Sequence, residues 1–190
     1  DGGDGGDGGD GASKPDPGNE TFVTAAFLNR VAGEAPWVTG FPGDPFAVSG
    51  SLWGGTPVLG ELPFFIKPEN NNYVCVSTFR AGTDGKWRRR KANFAAMHAV
   101  MVDDIGTKVL PERVVLAPSV QVETSPGNFQ AWYFLDPPET DAARADLLLM
   151  RMIASGLCAD AKDPGMRGVT RYGRLPIGIN GKQKYVEQLG

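Results

Sequence analysis

His98 to Leu135 reads HAVMVDDIGTKVLPERVVLAPSVQVETSPGNFQAWYFL, and the fold turns on how this stretch is read. His98 to Val102 is a short, nearly continuous apolar run of the kind a buried strand needs, and it stops abruptly at Asp103-Asp104. Ser125-Pro126-Gly127-Asn128 has the composition of a tight turn, and Gln130 to Leu135 follows it. Val114 to Leu116 and Val120 to Glu123 flank Pro118 ahead of that turn. The segment therefore predicts a hairpin-like unit. Tyr73 to Phe79 (YVCVSTF) alternates and is β-rich, which predicts another strand of the same sheet.

Two helices are expected on either side of these strands. Thr21 to Val31 places Phe22, Ala25, Ala26 and Leu28 at near-helical spacing. Thr140 to Ser155 has Asp141 in its first turn, an apolar face of Leu147, Leu148, Met150 and Met152, and Gly156 to stop it. Trp37 to Pro57 is crowded with Gly and Pro, which predicts turns and assigns no function. The expected class is α+β, a largely antiparallel sheet flanked by helices. Residues 1–19, opening on repeated Asp-Gly-Gly, have too little apolar surface to offset ordering entropy and read as a solvated linker before a domain at 20–190. With no initial methionine, the chain is expected to be a segment of a longer protein.

At 190 residues and 41% hydrophobic content, one domain is expected. No run of 18 apolar residues and no apolar leader is present, which points away from membranes and towards the cytoplasm. Cys75 and Cys158 lack CxxC spacing and read as core thiols, and His98, the single histidine, reads as a packed strand residue. The net charge of −3 is uneven: residues 1–19 hold five aspartates against one lysine, leaving the rest at about +1. That body contains a basic stripe, Lys86-Trp87-Arg88-Arg89-Arg90-Lys91.

Two adjacent carboxylates at the end of a buried strand repel unless a cation or proton compensates, so a divalent metal is their natural partner. In a regular strand they would point to opposite faces, so joint ligation requires the strand to end or twist, which Gly106 permits. Taken alone, the pair is also compatible with two solvated acids in a surface turn. Thr124 to Asn128 offers turn amides and hydroxyls to a phosphate, or simply closes a hairpin. Gln130 and Trp132, two residues apart, share a strand face. Arg171, Arg174 and Lys182 surround glycines that let backbone approach a ligand, or form an exposed basic loop.

In order, these pieces resemble the RepB-type plasmid primases, a branch of the archaeo-eukaryotic primases. The resemblance rests on the strand ending in Val102-Asp103-Asp104, on VETSPGNFQAW at Val122 to Trp132, on Cys158-Ala159-Asp160, and on Arg174-Leu175-Pro176 with Asn180-Gly181-Lys182. It implies a primase-like catalytic domain that makes short primers by two-metal nucleotidyl transfer. Asp103, Asp104 and Asp160 would then be the catalytic acids holding magnesium or manganese. Ser125, Asn128, Gln130, Arg174, Asn180 and Lys182 would bind nucleotide. The wider superfamily usually has histidine where Gln130 stands. The implied partners are single-stranded DNA template, nucleoside triphosphates and a replicative helicase, with no membrane. Trp87, Arg88, Arg89, Arg90 and Lys91 are the candidate DNA-binding surface.

Two alternatives use the same residues: a catalytically idle module that binds single-stranded DNA or recognises an origin, and a metal-dependent nuclease. Three retained acids argue against the first, and the Arg-Leu-Pro to Asn-Gly-Lys loop against the second. No GxxxxGK[ST] motif occurs, so the segment is not itself a helicase motor.

Overall fold

The computed structural model describes residues 14–27, 33–157 and 168–189. In chain order the strands are β1 (Glu34–Ala35), β2 (Trp37–Phe41), β3 (Thr56–Pro57), β4 (Asn71–Cys75), β5 (Ser77–Arg80), β6 (Phe94–Ile105), β7 (Val120–Ser125), β8 (Asn128–Glu139) and β9 (Tyr172–Arg174). The helices are α1 (Pro17–Ala26), α2 (Ala142–Ala154) and α3 (Gln183–Leu189). The strands form two sheets, ordered β1-β5-β6-β8-β7 and β3-β2-β4-β9, with every pairing antiparallel. The expected α+β class with a largely antiparallel sheet is what the chain adopts.

Tyr73 to Phe79, expected as one strand, is two strands in different sheets. Val76 is the crossing point: its N–H donates to the Arg171 carbonyl at 3.0 Å, and its own carbonyl accepts from the His98 N–H at 3.0 Å. The uninterrupted β-rich composition hides the break because both halves are buried. Val114 to Leu116 forms no strand. Pro118 cannot donate to a ladder, and Val115 and Leu116 are exposed, so of the two segments ahead of the turn only β7 pairs with β8.

Helix α1 starts at Pro17, inside the stretch expected to be linker. Asp16 caps it by accepting from the Gly18 N–H at 2.8 Å, Pro17 occupies the first turn, and Asn19 is fully buried. Of the helix expected at 21–31, the part beyond residue 27 lies outside the described residues. In α2, Asp141 is the N-cap and accepts from Ala143 and Arg144. Ala145, Leu148, Leu149 and Met152 form the inward stripe at i, i+3, i+4, i+7, so Leu147 and Met150 of the expected apolar face turn to solvent.

The two sheets meet in a close approach. Gly173 of β9 lies against Trp132 of β8 and Met101 of β6, where a Cβ would collide with both side chains. Trp132 is fully buried and takes the edge of Phe22 from α1 at 5.4 Å between ring centres. Cys75 is buried and desolvation pushes its thiol up to about 12, as expected of a core thiol, while Cys158 lies outside the described residues. His98 is also buried, packed on Phe27 and hydrogen-bonded with Thr78. Among the described residues no helix is long and apolar enough to cross a membrane.

Candidate active site

The paired acids stand on a break in the β6–β8 ladder. Val102 faces Ala131 and Ile105 faces Phe129, so Asp103 and Asp104 together oppose the single residue Gln130. This is a β-bulge, which redirects side chains that a regular strand would send to opposite faces. Asp104 carries the kink, with φ of 55°, a left-handed conformation that aspartate tolerates better than most residues. Gly106 follows at φ of 93°, pressed against the Gly127 carbonyl of the β7–β8 turn. Both acids consequently line one cavity of about 540 Å³.

Each acid is held by several donors. Oδ1 of Asp103 accepts from the Asp104 N–H at 2.8 Å and from Gln130 Nε2 at 3.1 Å, and Oδ2 accepts from the nearly buried Arg171 guanidinium at 3.3 Å. Asp104 Oδ2 pairs with Lys108 Nζ at 2.7 Å, and its Oδ1 accepts from Asn128 Nδ2 at 3.3 Å. Burial pushes the Asp104 carboxyl up, but Lys108, Asn128 and Lys182 outweigh it and hold the group below the ordinary carboxylate range. Asn128 is itself fixed by the Thr107 hydroxyl, which donates to Oδ1 at 2.8 Å.

The opposite wall is basic and braced. Arg174, at the end of β9, donates to the Ile179 carbonyl at 2.8 Å, to Asn180 Oδ1 at 3.0 Å and to Asn71 Oδ1 at 3.3 Å, and lies over the Tyr73 ring. Asn180 in turn donates to the Thr124 carbonyl at 2.7 Å, tying the loop after β9 to β7. Lys182 sits over Phe46, 5.4 Å from its ring centre. Phe46, Trp53, Tyr73 and Tyr172 supply an aromatic side to the cavity, with Trp53 and Tyr73 centred 4.8 Å apart. Burial raises the Tyr73 and Tyr172 phenols above their ordinary range, which keeps them neutral donors.

Of the residues singled out in the sequence, Asp103, Asp104, Asn128, Gln130, Arg174, Asn180, Lys182 and Arg89 line this cavity together. Ser125 does not; it is buried beside Tyr185 of α3. Asp160 lies outside the described residues. The basic stripe is not one continuous surface. Arg88 is paired with Asp84 at 2.6 Å, Arg90 donates to Asn93, Lys91 is paired with Asp146, and Trp87 packs beside Trp37, Cys75 and Phe79. Arg89 stacks on Tyr172 at 4.0 Å and donates to the Thr170 and Trp53 carbonyls. A larger groove of about 940 Å³, mostly apolar and without the acid pair, adjoins the site through Arg89 and Thr170. Arg90, Lys91 and the Leu149–Ile153 side of α2 line it.

Sequence reasoning missed Asn71, Lys108 and the aromatics at 46 and 53. A signal for the first existed in Asn70-Asn71-Asn72: three polar residues leading an apolar strand are costly to bury unless they bind backbone. Asn71 does so, donating to the Phe41 and Gly43 carbonyls and accepting from the Gly181 N–H.

Asp103 and Asp104 fit a hard divalent cation in type and number, since magnesium is commonly held by one or two carboxylates, with water and substrate phosphates completing its shell. Among the described residues no group of three or more acid, histidine or cysteine side chains forms a self-sufficient metal site.

The chain matches one known family and shares its fold with a solved protein. A family model, the RepB DNA-primase N-terminal domain, matches residues 70–190. The primase-polymerase domain of cyanophage S-2L shares the fold at a TM-score of 0.53 and 12% identity, over 86% of this chain and 83% of that one. The catalytic domain of the primase RepB′, solved with initiator DNA, matches at a TM-score of 0.46 and 20% identity, over 90% and 81%. No curated protein sequence matches.

Proposed function

We propose, from the premise that the chain belongs to the RepB DNA-primase N-terminal domain family, that it joins nucleotides on a single-stranded DNA template to make short primers for plasmid, phage or other mobile DNA. The observation that carries this reading is convergence. The bulged acid pair and the wall of Arg174, Asn180 and Lys182 come from distant parts of the sequence and line one cavity. A pure DNA binder has no use for two acids there, and a nuclease has none for the basic loop.

Asp103 and Asp104, with Asp160 as a proposed third acid, would hold magnesium or manganese, which lowers the pKa of an attacking 3′-hydroxyl and neutralises leaving pyrophosphate. Arg174 and Lys182 would stabilise charge on the triphosphate, and bracing of Arg174 by Asn71 and Asn180 sets its position before substrate arrives. Asn128 would orient Asp104 rather than reach far into the cavity. The rings of Trp53, Tyr73 and Tyr172 offer stacking faces to a base. The template would pass the Arg89–Lys91 rim in the cytoplasm, where the exposed Lys91–Asp146 pair is weak enough to exchange for phosphate. A replicative helicase would expose that strand.

Incubating the chain with single-stranded template, manganese and labelled nucleotides tests the reading. Template-dependent extension supports it. Degradation of the DNA favours a nuclease, and DNA retention without either product favours an idle binding module.

A further inference from the structure

We propose that Gln130 is a positioning residue, an amide latch that couples the acid pair to the triphosphate wall and does not itself bind nucleotide. The inference rests on the primase reading above and adds a task to it. Gln130 is 4% exposed and lies opposite the bulge, the single β8 residue facing both Asp103 and Asp104. Its Oε1 accepts from the Arg174 N–H at 2.9 Å. A backbone N–H only donates, so this bond fixes which end of the amide faces β9. The NH₂ group is thereby turned to Asp103 Oδ1, at 3.1 Å. One planar group thus joins β6 of one sheet to β9 of the other, through the first acid on one side and the backbone of the principal basic residue on the other. Groups that hydrogen-bond a metal-binding carboxylate from behind set its orientation and the site's affinity.

Gln130→Met keeps length and bulk while removing both hydrogen bonds. In the full 190-residue chain, we expect the manganese dissociation constant, read by water-proton relaxation without nucleotide or DNA, to weaken by about tenfold or more. Affinity for a nucleoside triphosphate should weaken in the same variant. If folded Gln130→Met melts earlier yet binds both as the wild type does, Gln130 is only packing and the latch is overturned. Wild-type protein that binds no manganese would overturn the metal reading itself, and the latch with it. Should the variant not fold, magnesium titration of the wild type by NMR decides: the Gln130 side-chain NH₂ and Arg174 backbone N–H must shift with one dissociation constant. Failure of either to move overturns the proposal.

Discussion

Asp104 concentrates the local chemistry. Its left-handed backbone makes the bulge, its carbonyl accepts the N–H groups of Lys108 and Val109 at 2.9 Å each, and its carboxylate meets Lys108. The sequence exposed the difficulty, two neighbouring acids pointing apart, and Gly106 as a means of relief. It did not expose the two-against-one register with Gln130, because register depends on a partner strand, with Gln130 lying 27 residues beyond Asp103. The pH dependence of stability follows from the depressed Asp104 carboxyl. A group titrating lower when folded than when unfolded contributes stability above its unfolded pKa of about 3.9, and loses it as pH falls through the folded value. Lys108→Ala should therefore lower stability near pH 6 and make its loss on acidification shallower, measured by urea unfolding between about pH 6 and 3. An unchanged acid limb would show that Lys108 does not hold the carboxylate. Lys182→Ala removes a charge-assisted contact without dismantling the braced loop, so nucleotide KM should rise roughly tenfold or more while DNA affinity stays put. Equal losses of both would place Lys182 on the template.

Strand β9 brings the basic residues to the acids, and it can do so only because Gly173 lets it lie on Trp132 and Met101. Gly173→Ala should cost about 1–3 kcal/mol by overpacking, seen as a lower urea midpoint, and synthesis should fall more than folded content does. A variant with normal stability and normal synthesis would show that the sheets have slack here. The long helix and the β7–β8 hairpin were legible in the sequence, since a cap, a stop glycine and a turn motif are local signals. The split at Val76 was not, because a strand passing between two buried sheets has the same composition as an unbroken one. Likewise β9 falls in the Arg171–Lys182 stretch expected as a glycine-punctuated basic loop, and nothing in the sequence assigned α3. Three residues of strand, paired with β4 about 100 positions earlier, leave almost no local trace.

Taken as one body, the chain is two antiparallel sheets whose junction forms the cavity, with a basic rim leading to the larger groove. The net charge of −3 says little about this, since what matters is where the acids and bases gather in space. Charge reversal at Arg90 and Lys91 should weaken single-stranded DNA binding and flatten its salt dependence, by about 0.7 in log–log slope for each phosphate that is no longer neutralised. An unaltered slope would remove that rim from the template path. The most direct measurement compares wild type with an Asp103→Asn, Asp104→Asn double variant, following labelled primer and pyrophosphate on an unprimed single-stranded template with manganese, and DNA affinity in the same samples. The account predicts template-dependent primer and pyrophosphate from the wild type, neither from the double variant, and retained DNA binding in both. Synthesis by the double variant at the wild-type rate would contradict it, because the bulged acids would then not be the centre of the chemistry.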